Sequence, residues 1–211
     1  LAKSSIGLDD LHQLKNEAMA LDRNLAEWQV SQVQDFNPRT VGHVNQGQSK
    51  STPAVGYWPG RVDSYFDLYV AGVWNTSRTG RLLLISLILK LSKLLNDNQD
   101  HSREHENAQI LTEDIIASVP YHLAEDLHVF LRNVGKDTAI SPGRPVGGLL
   151  LMHPIYVAST LLIVPQKLRE HMQECLAWIG THMGIGQASL FAKVRTLISY
   201  PPPLDYLLHS V

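Results

Sequence analysis

A chain of 211 residues with 44% apolar and 18% charged residues has the composition of a globular protein built on one sizeable core, which excludes an intrinsically disordered segment. Lys and Arg total 18 against 20 Asp and Glu, a net charge of −2, so no basic field is present to draw in a phosphate backbone and this segment is not expected to bind nucleic acid by itself. The single cysteine, Cys175, excludes an internal disulfide and a cysteine-built zinc cluster, and fits a reducing intracellular compartment.

Leu1 to Asp10 lack the basic start and apolar block of a secretory signal, and a start at Leu1 rather than at methionine points to a piece of a longer protein. Leu11, Leu14, Ala18, Leu21, Leu25 and Trp28 recur at helical spacing behind Asp9 and Asp10, which predicts an amphipathic helix. Its apolar stripe can pack on its own domain or form the seam of a homodimer; fewer than three heptads favour the first. Residues 36–60 turn polar and carry repeated Gly and Pro, which predicts a long flexible loop. Asp63 or Ser64 can cap a long helix running to about Leu95, apolar nearly all round between Leu82 and Leu89 and therefore central.

Residues 96–107 read as a hydrophilic surface loop, followed by a short helix on Ile110, Leu111, Ile115 and Ile116 that Pro120 should stop. A second surface loop over 135–148 leads into an apolar helix at Leu149 to Val164, kinked or restarted at Pro154 and too short and too interrupted for a bilayer span. After Pro165, the residues Leu168, Met172, Cys175, Leu176 and Ile179 line one helix face, and Gly184 and Gly186 precede a last helix through Phe191, Val194 and Ile198. Tyr200 and Pro201 to Pro203 open a C-terminal tail over 200–211. With no repeat and no alternating strand pattern, the expectation is an all-α fold: one irregular helical domain over 1–211, with about six to eight helices and long loops.

The sharpest catalytic candidate is His101-Ser102-Arg103-Glu104-His105, the inverted zinc-peptidase pattern, with Glu170 or Glu174 as an imaginable third ligand. The competing reading is a solvated loop, because the motif has no apolar periodicity around it. Gly184-Ile185-Gly186 lacks the preceding strand of a dinucleotide-binding loop and reads as a helix-to-helix turn. Cys175 reads as an inert core thiol without an associated histidine, and His153 as a hydrogen-bonded core histidine. Arg78 and Arg81, three apart beside Trp74 and Asn75, either anchor groups inside the domain or face an anionic effector. No complete catalytic set is present, and no enzymatic turnover is expected.

Four segments in order carry a family resemblance. Trp74-Asn75-Thr76-Ser77-Arg78-Thr79-Gly80-Arg81-Leu82, Ser118-Val119-Pro120-Tyr121-His122-Leu123, Leu149 to Ala158, and Trp178 through Ala188 resemble the C-terminal regulatory region of fungal binuclear zinc-cluster transcription factors. The resemblance spans roughly residues 60 to 192. It implies a nuclear regulator of RNA polymerase II transcription that works through the transcription machinery, co-regulator proteins or a small-molecule effector. DNA and zinc would be bound only by an N-terminal six-cysteine module that this chain does not contain. Two features depart from the family pattern: His153 stands where an aromatic is expected, and 96–107 is an insert. If an effector pocket exists between the helices at Trp74 to Leu89 and Leu149 to Leu162, its candidate residues are Trp74, Asn75, Arg78, Arg81, His153 and Tyr156. A helical small-molecule sensor is the alternative function, and a zinc hydrolase using His101 and His105 the remote one.

Overall fold

The computed structural model describes residues 7–45, 54–97, 99–136 and 139–198, with side chains through 193. Seven α-helices dominate the described residues, within the expected six to eight: α1 (Leu8–Val30), α2 (Leu68–Leu94), α3 (Ser102–Leu123), α4 (Leu127–Asn133), α5 (Pro145–Thr160), α6 (Gln166–His182) and α7 (Gly186–Ile198). The tail over 200–211 lies outside the described residues. No described helix is long and apolar enough to cross a membrane.

α2 is the central helix and touches α1, α3 and α5. Its cap is neither Asp63 nor Ser64 but Asp67, whose carboxylate accepts from the Val70 amide at 2.7 Å. Asp63 is instead buried in a strand. Two short strands, β1 (Arg39–Val44) and β2 (Gly60–Ser64), pair antiparallel with Arg39 opposite Ser64 and Val44 opposite Gly60. This corrects the expectation of no strand and shortens the loop predicted over 36–60. The pair is held less by its own alternation than by β2 resting on α3, with Val62 and Asp63 both 1% exposed.

Three other boundaries move. α3 begins at Ser102, inside the predicted loop, because the Asp100 carboxylate accepts from both the amide (3.0 Å) and the hydroxyl (2.6 Å) of Ser102 and organises the turn. It also runs through Pro120 to Leu123: proline forfeits one amide bond, but its fixed φ is already helical, and Pro120 sits close to the end. α5 begins at Pro145 rather than Leu149, with proline at the first turn, and runs through Pro154 without a restart.

Gly143, just before α5, and Gly147, in its first turn, allow close approach. The Gly143 amide donates to the Leu123 carbonyl at 2.7 Å, and a Cβ on Gly147 would sit 2.0 Å from the His122 carbonyl oxygen. The α5 backbone therefore crosses the end of α3 at a distance that no side chain allows. α4, which the apolar spacing did not announce, is capped by Asp126, whose carboxylate accepts from the amides of His128 (2.7 Å) and Val129 (3.0 Å).

The core lies between α2, α3, α5 and α6. Leu82, Ile85, Ile115, Leu123, Leu151, Ile155, Met172, Leu176 and Ile179 are at most 1% exposed. Each such side chain contributes roughly 1.5–3 kcal/mol by leaving water. α6 buries the predicted face of Leu168, Met172, Cys175, Leu176 and Ile179, and His171 with it.

Candidate functional site

At positions 75 and 78, α2 carries polar side chains on the stripe that continues as Leu82 and Ile85, so an amide and a guanidinium point into the core. Facing them, α3 presents Asp114, Ser118 and His122, spaced by four. Asn75 is fully buried and satisfied on both ends: Nδ2 donates to Ser118 Oγ at 2.8 Å and lies 3.2 Å from His122 Nε2, while Oδ1 accepts from an Arg78 Nη at 3.0 Å. Because Oδ1 accepts, the amide can only donate to His122, which leaves Nε2 unprotonated and the imidazole neutral. Burial, reinforced by the nearby Arg78 charge, lowers the His122 pKa to about 4.

Arg78, 1% exposed, donates to the Tyr65 hydroxyl at 2.7 Å, and its Nε lies 3.5 Å from an Asp114 oxygen, an ion pair without a hydrogen bond. Its guanidinium carbon sits 5.4 Å from the Trp74 ring centroid and 5.7 Å from that of Tyr65. Asp114 also pairs with Arg61, which reaches Asp63 at 3.1 Å, and Thr40 donates to Asp63 at 2.8 Å. Two cations thus face two anions across β2, α2 and α3. Burial also pushes the Tyr65 phenol above its ordinary range, so it stays protonated. Trp74 Nε1 donates to the Phe36 carbonyl at 2.8 Å, tying in the segment before β1. The arrangement is a cross-braced polar node in which each named group is a partner of another.

The six sequence candidates do not converge on one pocket. Trp74, Asn75 and Arg78 belong to the node. Arg81 points to the other side of α2, where it donates to Asp22 at 2.8 Å and to Gln29 at 2.9 Å on α1. His153 is exposed, a correction to its reading as a core histidine: the buried stripe of α5 is Leu151, Pro154, Ile155 and Ala158, and position 153 falls between its rows. Tyr156 is half-buried and stacks on Phe191 of α7, ring centroids 4.3 Å apart. Leu82 and Ile85 of α2 and Leu151 and Ile155 of α5 are buried in one hydrophobic cluster. Two described surface pockets lie elsewhere: one of about 80 Å³ beside Tyr57 and Phe130, and one against Arg39 and Phe66.

Tyr65 and Asp114 are not among the sequence candidates, and Ser118 and His122 stand there only within a resemblance segment, with no site role. The repeat of four along α3 at 114, 118 and 122 was the available signal.

His101 caps α3 and His105 is exposed on its first turn, so the segment is helical rather than loop. His101 Nδ1 lies 3.7 Å from Glu104, Glu170 accepts from Gln166 at 2.8 Å, and Glu174 lies 3.7 Å from His171. Among the described residues no group of three or more His, Cys, Asp or Glu is placed to hold a metal ion.

A histidine does adjoin Cys175: His171 Nε2 lies 3.7 Å from its Sγ, a pairing at four-residue spacing that the sequence reading did not make. Burial drives the thiol up to about 12 and the imidazole down to about 4. Both shifts oppose a thiolate–imidazolium pair, so the thiol stays inert as expected. Gly184, at φ 74°, makes the turn from α6 into α7.

Comparison with known proteins adds the functional context. No family model matches the chain, and no solved structure matches it. The chain is 50% identical over 186 residues to the protein named Transcription factor dbaG of Emericella nidulans, an alignment covering 88% of this chain and 44% of that protein. It therefore spans less than half the length of that relative. Over most of its own length, the chain is similar to a fungal transcription factor.

Proposed function

We propose that this chain is the regulatory portion of a fungal zinc-cluster transcription factor, acting in the nucleus on RNA polymerase II transcription through protein contacts rather than catalysis. The observation that carries the reading is the 50% identity to Transcription factor dbaG over 186 residues. The node around Arg78 supports it: its side chains hydrogen-bond or ion-pair with one another, as a scaffold requires, and none is paired as a nucleophile with its base. The zinc-cluster part rests on the four motif segments. DNA reading and zinc belong to a separate six-cysteine module, since this chain has one cysteine and a net charge of −2.

The zinc-cluster assignment is tested by sequencing the transcript that encodes this chain to its 5′ end. An in-frame six-cysteine cluster upstream is the expected result. A frame closed upstream by a stop codon, with no such cluster, overturns the assignment.

A further inference from the structure

α1 and α2 lie antiparallel. Trp28 stands beside Trp74 with ring centroids 5.7 Å apart, Leu25 lies over Gly80, Asp22 and Gln29 hold Arg81, and Lys15 pairs with Asp97 beyond the end of α2. α2 is the only described helix on which α1 makes an extensive contact. Of the 23 residues of α1 only Lys15 and Ala18 are buried, whereas the 17 residues of α6 bury six. Leu14 and Leu21, on the stripe the sequence predicts to pack, are 43% and 54% exposed. The helix is turned so that Lys15, Asp22 and Gln29 face α2.

α1 is thus held by a few apolar contacts, Ala18, Leu25 and Trp28 among them, and by polar pairs centred on Arg81. Its side chain is 12% exposed, Asp22 is 18% exposed, and Gln29 also donates to Ser77 at 3.3 Å. Polar pairs of this kind contribute far less than burial of an apolar face, and segments with few buried apolar contacts open at a fraction of the global free energy. Once off α2, the helix loses the tertiary packing from which most helical stability in proteins comes, and its amide bonds open.

We propose that α1 is a latch that leaves α2 as a unit while the rest of the domain stays folded, with Arg81 as its catch. Release uncovers the α2 stripe of Trp74, Ser77 and Arg81. The inference rests on the α1–α2 contact alone and stands apart from the reading of the chain as a transcription regulator.

Hydrogen exchange on the full chain, resolved by segment, tests it. In the unmodified protein the slowest α1 amides exchange at least about tenfold faster than the slowest of α6. Asp22→Ala and Arg81→Met each raise α1 exchange by about tenfold more, the worth of one charge-assisted bond, and leave α6 unchanged. Exchange of α1 and α6 at one common rate overturns the proposal, as does α1 exchange that neither variant moves. Loss of the whole fold in either variant overturns it as well, because the body is claimed to stand without the latch.

Discussion

Replacing Arg78 by methionine lowers the unfolding free energy by about 3 kcal/mol, the range expected when one partner of a buried ion pair is removed. Methionine fills much of the space, so the loss comes from what is stranded: the Tyr65 hydroxyl, the Asn75 carbonyl oxygen and the inner face of Asp114 all lose the guanidinium. Asp114 is 21% exposed and keeps Arg61, which holds the cost at the lower end of the range. Arg78→Lys restores the charge but not the fork that serves Tyr65, Asn75 and Asp114 together, so it recovers less than half of the loss. Urea unfolding followed by circular dichroism measures both variants. A cost below about 1 kcal/mol for Arg78→Met would show that the node is not what braces β2, α2 and α3.

Acid weakens the fold through two buried histidines. His122 and His171 are each 1% exposed, and burial lowers each pKa from 6.5 to about 4. Between pH 6.5 and about 4 the unfolded chain therefore binds protons that the folded chain does not. Stability rises with pH wherever the unfolded state holds more protons, so it is fully present above pH 6.5 and declines as pH falls through this window. Each histidine loses on the order of 3 kcal/mol across the window, and the two together rival the whole stability of an ordinary domain. The expected result is a steep loss of unfolding free energy between pH 7 and pH 4, shallower by about one proton in His171→Gln. A flat profile in the unmodified protein, or a slope that His171→Gln does not change, contradicts it.

The helices were legible because a buried stripe on a helix repeats every three or four residues, and α6 shows this with Leu168, Met172, Cys175, Leu176 and Ile179 all buried as spaced. Periodicity names a face without saying what it meets. On α1 the leucine spacing selects Leu14 and Leu21, yet α2 offers Ser77 and Arg81, and the helix turns to meet them with Gln29 and Asp22. The strands escaped notice because Val62 and Asp63 are buried where β2 rests on α3, an element distant in sequence, rather than by a local pattern. α4 has only seven residues, too few to show two turns of a stripe.

The site divides the same way. Trp74, Asn75 and Arg78 could be singled out because polar residues on a central helix need partners. Their partners Tyr65, Asp114, Ser118 and His122 lie at separations of up to 47 residues that only the folded chain closes. His153 was misplaced because α5 is apolar nearly all round, so its sequence does not show which face is outside. The Gly and Pro residues over 135–148 signalled a loop, whereas Gly147 is needed for the approach of α5 to His122. Composition records where a backbone is unusual, and geometry supplies the reason.

If this chain regulates transcription, bringing it to DNA by another module suffices to change the output of a reporter. Residues 1–211 are fused to an unrelated DNA-binding module that is transcriptionally silent alone, in a fungal cell carrying a reporter with that module's sites. Reporter transcription is expected to depart severalfold from that with the module alone, upward or downward, and the chain without the module to have no effect. A fusion that is folded, nuclear and bound to the reporter yet indistinguishable from the bare module would contradict it.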